Sequence, residues 1–354
     1  MVFCKASLII ILSHIIEISI ATSKLNLNPK PASRILKLSS HSTPYITNTP
    51  VVIWHGLGDS YKNPEFDRLS ESITERYPGT SVYLIHLAER PDEDQKATWF
   101  GSANAEVEYV CQELNTIDEL VGGFDGIGFS QGGQLLRAYV ERCNQPHVRN
   151  LITLGAQHMG VSEYPPCRGF FDVGCQIVKR LISTGSVYSS YAQEHILPAQ
   201  YFRDQRDLGP YFEHNDFLRD INNELAGDHQ PGENLTSRPA LTQDPPELQR
   251  NQTYKKNMLM LENFVMIRFS EEQIVKPAAS AHFGVSTRTE ESIPLERLPI
   301  YKEDYIGLKE LDESGRIAYG ICDGSHMQIG EQCWNSVLDW IGTAHQGLVI
   351  QTQT

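Results

Sequence analysis

The chain has 354 residues, 40% of them hydrophobic and 21% charged, and a formal net charge of −14. That length holds one large domain or two small ones with ample core. So acidic a surface repels phosphate backbones, which excludes nucleic acid as an expected partner. The chain opens with Lys5 and an apolar stretch from Ala6 to Ile16, followed by the small-x-small triplet Ser19-Ile20-Ala21. This pattern predicts a secretory signal peptide over 1–21. A membrane anchor is the rival reading, but Ser13, His14 and Glu17 interrupt a run too short to span a bilayer. No later run is long enough to span either, so no stable membrane anchor is expected, and the destination is the secretory pathway: lysosome, vacuole or exterior.

Residues 22–48 are polar and read as an irregular leader. "TPVVIWHGLGD" (49–59) reads as a short strand entering a Gly-rich turn, and "SVYLIHL" (81–87) as a second strand. Val107, Val110, Leu114 and Ile117 give 103–121 helical spacing. "FDGIGF" (124–129) predicts a strand, "QGGQLLRAYVERC" (131–143) a helix and "VRNLITLGA" (148–156) another strand. This alternation predicts an α/β fold, a mostly parallel central sheet flanked by helices. Residues 157–256 carry few strand signals and read as a mainly helical cap, with an exposed Pro/Gly-rich loop over 226–250. Sheet signals return at "NFVMIRF" (263–269) and "RIAYGI" (316–321). A last helix is predicted over about 331–342, then a tail over 343–354. The domain so defined spans 49–342.

Six cysteines lie beyond the leader: Cys111, Cys143, Cys167, Cys175, Cys322 and Cys333. An even set in an exported chain predicts disulfides, although six allow 15 connectivities. Asn234 and Asn251 each begin an N-x-T sequon, a glycosylation signal in an exported chain.

Gly128-Phe129-Ser130-Gln131-Gly132 fits G-x-S-x-G between a predicted strand and a predicted helix. That context marks a nucleophile elbow, with Ser130 presented above the sheet at a helix N-terminus. A serine hydroxyl needs a base. His326 follows the last predicted strand, at the same sheet edge, and suits the chain order Ser, acid, His. The acid is expected just after 263–269, at Glu272 or Glu271. Asp323, three residues from His326, reads as shaping its turn. Oxyanion donors are expected at the N–H groups of Gln131, the residue after the nucleophile, and of Leu57 in "HGLGD". His55 reads as a hydrogen-bonded core histidine rather than a proton-transfer group.

Taken in order, "VVIWHGLGDS", "GFSQGGQLLRAYVERC", "NLITLGAQHMGV", "NQTYKKNMLMLENFVM" and "YKEDYIGLKELDESG" resemble the palmitoyl-protein thioesterases of lysosomal type, from about residue 50 to 342. The resemblance implies an α/β-hydrolase fold with a large helical insertion, no cofactor and no metal. It implies S-palmitoylated proteins or peptides as substrates, with acyl-CoA as a further acyl donor, and a monomer is expected. By position it assigns Ser130 as nucleophile, His326 as base, Glu272 as acid, and Leu57 and Gln131 as oxyanion donors. It pairs Cys111 with Cys143 and Cys167 with Cys175, and makes Asn251 a family glycosylation position.

Four features depart from the family pattern. Glu272 stands where the family has aspartate, one methylene shorter. Ser60-Tyr61-Lys62 replaces a vicinal cysteine pair. The 226–250 loop is longer than the family's, and Cys322 and Cys333 are additional, their pairing left open. A long acyl chain needs an apolar groove, which cap aromatics such as Phe170, Phe171, Tyr188 and Tyr191 could line or merely support from the cap core. Two rival functions share these residues: a secreted carboxylesterase or lipase acting on oxyesters, and an acyl-chain-binding protein whose triad Glu272 has disabled.

Overall fold

The computed structural model describes residues 34–38, 48–164, 167, 172–224, 250–287 and 291–342. The expected signal peptide, the 226–249 part of the cap loop and the tail lie outside them. Nine strands are present among these residues: β1 (Arg34–Lys37), β2 (Val51–Trp54), β3 (Val82–His86), β4 (Phe124–Phe129), β5 (Val148–Leu154), β6 (Asn263–Phe269), β7 (Val285–Ser286), β8 (Ser292–Ile293) and β9 (Ile317–Cys322). Seven form one sheet in the order β1-β3-β2-β4-β5-β6-β9, and β7 and β8 make a separate antiparallel ribbon. All neighbours in the large sheet are parallel except β1 and β3.

The inner strands are buried along almost their whole length because both faces of a parallel sheet are covered. Side chains alternate between two cores. Val51 and Ile53 of β2 join Phe66 and Ile73 of α1 (Pro64–Arg76) on one face. Val52 and Trp54 join Val107, Val110 and Leu114 on the other. α2 (Pro91–Ala97) follows β3, and α3 (Ala103–Leu114) packs on the second face with α4 (Gln131–Arg142). This is the α/β-hydrolase architecture.

Three expectations need correction. The leader is not wholly irregular: Arg34–Lys37 pairs with β3 in the register Arg34↔His86 to Lys37↔Tyr83. Without it, the backbone groups along that edge of β3 would have no ladder partner. The helix expected over 103–121 ends at Leu114, since Ile117 is extended (φ −95°, ψ 104°) and a 3₁₀ turn covers Asp118–Leu120. Ile117 still packs on the core, so its spacing mimicked a helical position. The last helix is Glu331–Leu338, shorter than the 331–342 expected.

The cap is helical where it is described. It comprises α5 (Val173–Ser183), short helices at Ser190–His195, Leu197–Gln200, Gly209–His214 and Leu218–Ile221, and α6 (Gln252–Met258), which runs past the expected boundary at 256. Its core merges with the α3–α4 side of the sheet. Arg137 of α4 is fully buried and clamps the join: it donates to Glu141 Oε1 (2.8 Å), to Ile221 O (3.0 Å) and to Asn222 Oδ1 (2.9 Å). A buried charge survives only when most of its donors are paired; here the two terminal nitrogens are, while Arg137 Nε and Glu141 Oε2 have no partner among the described residues. After β8 come α7 (Leu308–Glu313), β9 and α8 (Glu331–Leu338). No helix among the described residues is long and apolar enough to cross a membrane.

Candidate active site

The strand order reverses at β2: its connection runs to β3 on one side, while β4 leads to β5 on the other. A crevice therefore opens above the carboxyl ends of β2 and β4, where ligands bind in open α/β sheets. The turn His55-Gly56-Leu57 leaves β2 there, and Ser130 leaves β4. Ser130 has φ 50° and ψ −117°, a conformation strained for any side chain. The neighbouring packing enforces it. A Cβ on Gly128 would sit 2.2 Å from Gly133 Cα, and one on Gly132 would sit 2.3 Å from Trp54 O. Only glycine lets β2, β4 and α4 approach so closely. The serine N–H donates to Leu154 O (2.8 Å), and the residue is 8% exposed.

His326 comes from the loop after β9 and Glu272 from the turn after β6. His326 Nε2 lies 3.0 Å from Ser130 Oγ, and His326 Nδ1 lies 2.6 Å from Glu272 Oε2. An ionised Glu272 requires the proton on Nδ1, so Nε2 is the acceptor for the serine O–H. The second carboxylate oxygen, Oε1, accepts from the N–H groups of Ile274 (2.7 Å) and Val275 (2.9 Å). Burial alone would raise the Glu272 pKa; the hydrogen bond and charge of His326, with those two N–H groups, outweigh it and hold the carboxyl below its usual range. In this turn the Glu272 side chain folds back on its own backbone. Glu271 is exposed, and its backbone N–H goes to Gly324 O (2.9 Å). Asp323 is also exposed. Neither carboxylate shows a bond to His326.

Gln131 is the first residue of α4, so its N–H has no acceptor within the helix. Among the described residues the N–H of Leu57 has no acceptor either. Gly56 is packed against the elbow: a Cβ there would lie 3.2 Å from Ser130 Cβ. The turn that carries Leu57 thus packs against the serine, with the positive end of α4 beside it.

Cysteine pairs join Cys111 to Cys143, Cys167 to Cys175, and Cys322 to Cys333, with Cα separations of 6.0, 5.6 and 5.2 Å. The first ties α3 to the end of α4. The third closes the His326 loop onto α8. Asn251 is exposed and caps α6, its side chain accepting from Thr253 N (3.0 Å). Asn234, Phe170 and Phe171 lie outside the described residues. Tyr188 packs against Phe202 inside the cap, whereas Tyr191 is 66% exposed and stacks on His195.

His55 is buried, as its core reading requires, and its Nε2 lies 3.1 Å from Asp94 Oδ2. Burial opposes protonation of this ring, but Asp94 outweighs it and the His55 pKa is raised. Asp94 also accepts from Leu87 N (2.6 Å) and Tyr61 N (2.8 Å), binding the turn after β2 to the end of β3. Sequence reasoning did not single out Asp94. Its only signal was a charged residue among exposed neighbours in "RPDEDQKA".

The family described as palmitoyl protein thioesterase matches residues 50–326. Palmitoyl-protein thioesterase 1 of Caenorhabditis elegans is 35% identical over 283 residues, 79% of this chain and 87% of that protein. A Drosophila melanogaster protein named lysosomal thioesterase PPT2 homolog is 28% identical over 272 residues, 76% of this chain and 82% of its own. Among solved structures, carboxyl esterase 2 of Tuber melanosporum aligns over 88% of this chain and 85% of its own, with 11% identity and a TM-score of 0.42.

Proposed function

This chain belongs to the palmitoyl protein thioesterase family and is a thioester hydrolase, and we propose that it releases long-chain acyl groups, palmitate above all, from S-acylated cysteines of proteins or peptides. The observation that carries this reading is the continuous relay Ser130 Oγ, His326 Nε2, His326 Nδ1, Glu272 Oε2, at 3.0 and 2.6 Å. In the proposed reaction Ser130 Oγ attacks the thioester carbonyl while its proton passes to His326 Nε2. The N–H groups of Leu57 and Gln131 hold the oxyanion. Collapse expels the thiolate, which takes the proton held on the imidazole. Water then attacks the acyl-enzyme with His326 again as base, releasing the fatty acid and restoring Ser130. A thiolate leaves far more readily than an alkoxide, so the acid assistance required is small.

For the acyl chain we propose a path over Trp99 and along α5. A Cβ on Gly58 would lie 3.5 Å from Trp99 Nε1, and one on Gly174 would lie 2.5 Å from the same indole, so this ring joins the turn after β2 to the start of α5. Beyond it, Val173, Ile177 and Leu181 line an apolar depression of about 390 Å³. Three disulfides suit an oxidising compartment, and the proposed location is a lysosome, a vacuole or the exterior.

The test is turnover of an S-palmitoyl peptide beside its matched oxyester by the purified mature protein and Ser130→Ala. Thioester hydrolysis that Ser130→Ala abolishes is expected. Preference for the oxyester would make the protein a general esterase, and no turnover of either would leave an acyl-binding protein.

A further inference from the structure

Leu57 sits between Gly56 and Gly58, so sterics restrain its peptide groups less than any other sequence would. An oxyanion hole works only when its donors are fixed before the oxyanion forms. The turn's own closing bond, Asp59 N to Gly56 O, is long at 3.3 Å, so a restraint from outside the turn is needed to fix Leu57. Thr98, 1% exposed just past the end of α2, supplies that restraint. Its hydroxyl accepts from Gly58 N (2.8 Å) and donates to Gln95 O (2.7 Å). The Gly58 carbonyl in turn accepts from Gln95 Nε2 (2.6 Å). The same residue reaches the second donor: Thr98 O accepts from Gln131 Nε2 (3.2 Å), which also donates to Tyr201 O–H (3.1 Å).

We propose that Thr98 is a positioning residue that holds both oxyanion donors, Leu57 and Gln131, at one fixed separation. The proposal rests on reading those two N–H groups as the oxyanion donors. Its hydroxyl is too deeply buried for water to replace, so its loss strands the Gly58 N–H and frees the glycine turn.

The experiment compares wild type, Thr98→Val and Thr98→Ser. It measures kcat and KM on an S-palmitoyl peptide, and affinity for a palmityl trifluoromethyl ketone and for the corresponding alcohol. Ser130 adds to the ketone carbon, its proton passes to His326, and the resulting oxyanion occupies the hole, which the alcohol leaves empty. Wild type is expected to bind the ketone much more tightly than the alcohol. Thr98→Val should lower kcat by roughly 10- to 100-fold, part of the loss seen when a donor is deleted outright. KM should stay within about threefold, and ketone affinity should fall in step with kcat while alcohol affinity holds. Thr98→Ser, which keeps the hydroxyl, should stay within about threefold of wild type. If wild type prefers the ketone and Thr98→Val binds it equally well, the clamp is wrong and the donor assignment stands. If wild type shows no such preference, the donor assignment fails and takes the clamp with it. Should Thr98→Val not fold, Gln131→Met cuts the other tie while keeping the backbone donor. An undiminished ketone affinity there overturns the proposal equally.

Discussion

Glu272→Asp and Glu272→Gln separate the two things asked of this carboxylate, reach and charge. Aspartate shortens the stem by roughly 1.5 Å. With Ile274 and Val275 still holding one oxygen, the other retreats from 2.6 Å to about 4 Å from His326 Nδ1. At an effective dielectric of about 20, its attraction to the imidazolium formed in the transition state falls from roughly 6 to roughly 4 kcal/mol. A difference of about 2 kcal/mol predicts a kcat lower by about 30-fold, with KM little changed. Glutamine keeps the reach but turns an N–H toward Nδ1. That favours the tautomer protonated on Nε2, which cannot take the serine proton, and the expected loss is about a thousandfold or more. Steady-state kinetics on an S-palmitoyl peptide read both. If Glu272→Asp matches or exceeds wild type, the turn does not hold the carboxylate as described. If Glu272→Gln keeps more than a fifth of the activity, the acid lies elsewhere and Glu271 and Asp323 return as candidates.

Two further outcomes follow from groups outside the relay. Opening the Cys322–Cys333 bridge with Cys333→Ser frees a loop with a sequence separation of 11, worth about 3 kcal/mol of loop entropy; the melting temperature should fall together with kcat, because that loop carries His326, and a fall in only one would separate the bridge from the site. Burial pushes the Asp125 carboxyl up to about 6 and Glu141 up to about 7, against the pull of Arg137 on the latter. The folded state therefore binds more protons than the unfolded state in that range, so this stability is complete below pH 4 and is lost as pH rises through 6 to 7. His158 and His282, whose pKa values burial pushes down, gain stability over the same range, so the test is the difference between two proteins: the urea midpoint of Glu141→Gln should rise relative to wild type between pH 5 and pH 8, and a constant difference would contradict the assignment.

The elements that build the site were legible where local signals were strong. β4 and β6 match their predicted bounds because their six- and seven-residue runs, FDGIGF and NFVMIRF, are largely buried and end at turn residues. The elbow was legible because G-x-S-x-G is meaningful only between a strand and a helix, and both neighbours had clear periodicity. Other elements carried too little signal. β1 has four residues, and β7 and β8 have two each. α1 buries only Phe66, Ser70 and Ile73 across 13 residues, so its apolar stripe is thin. Local pattern alone left Glu272 and Glu271 open, since adjacent residues differ only in which way the turn aims them, and the choice of Glu272 came from the family resemblance.

The Thr98 clamp was beyond any sequence pattern, and the reason is general. Its two ties span 40 and 33 positions, and each joins a side chain to the backbone, or the backbone to a side chain. Backbone groups are present at every position, so such a tie leaves no residue type or spacing to read at its far end. A relay between side chains needs particular residues at both ends, which is why Ser130 and His326 could be proposed from the sequence. The groups that hold the donors still were visible only once α2 was seen lying against the turn after β2. Motif reading therefore finds the atoms that react before it finds the ones that restrain them, and mutations at the latter are where activity can fall without a recognisable motif being touched.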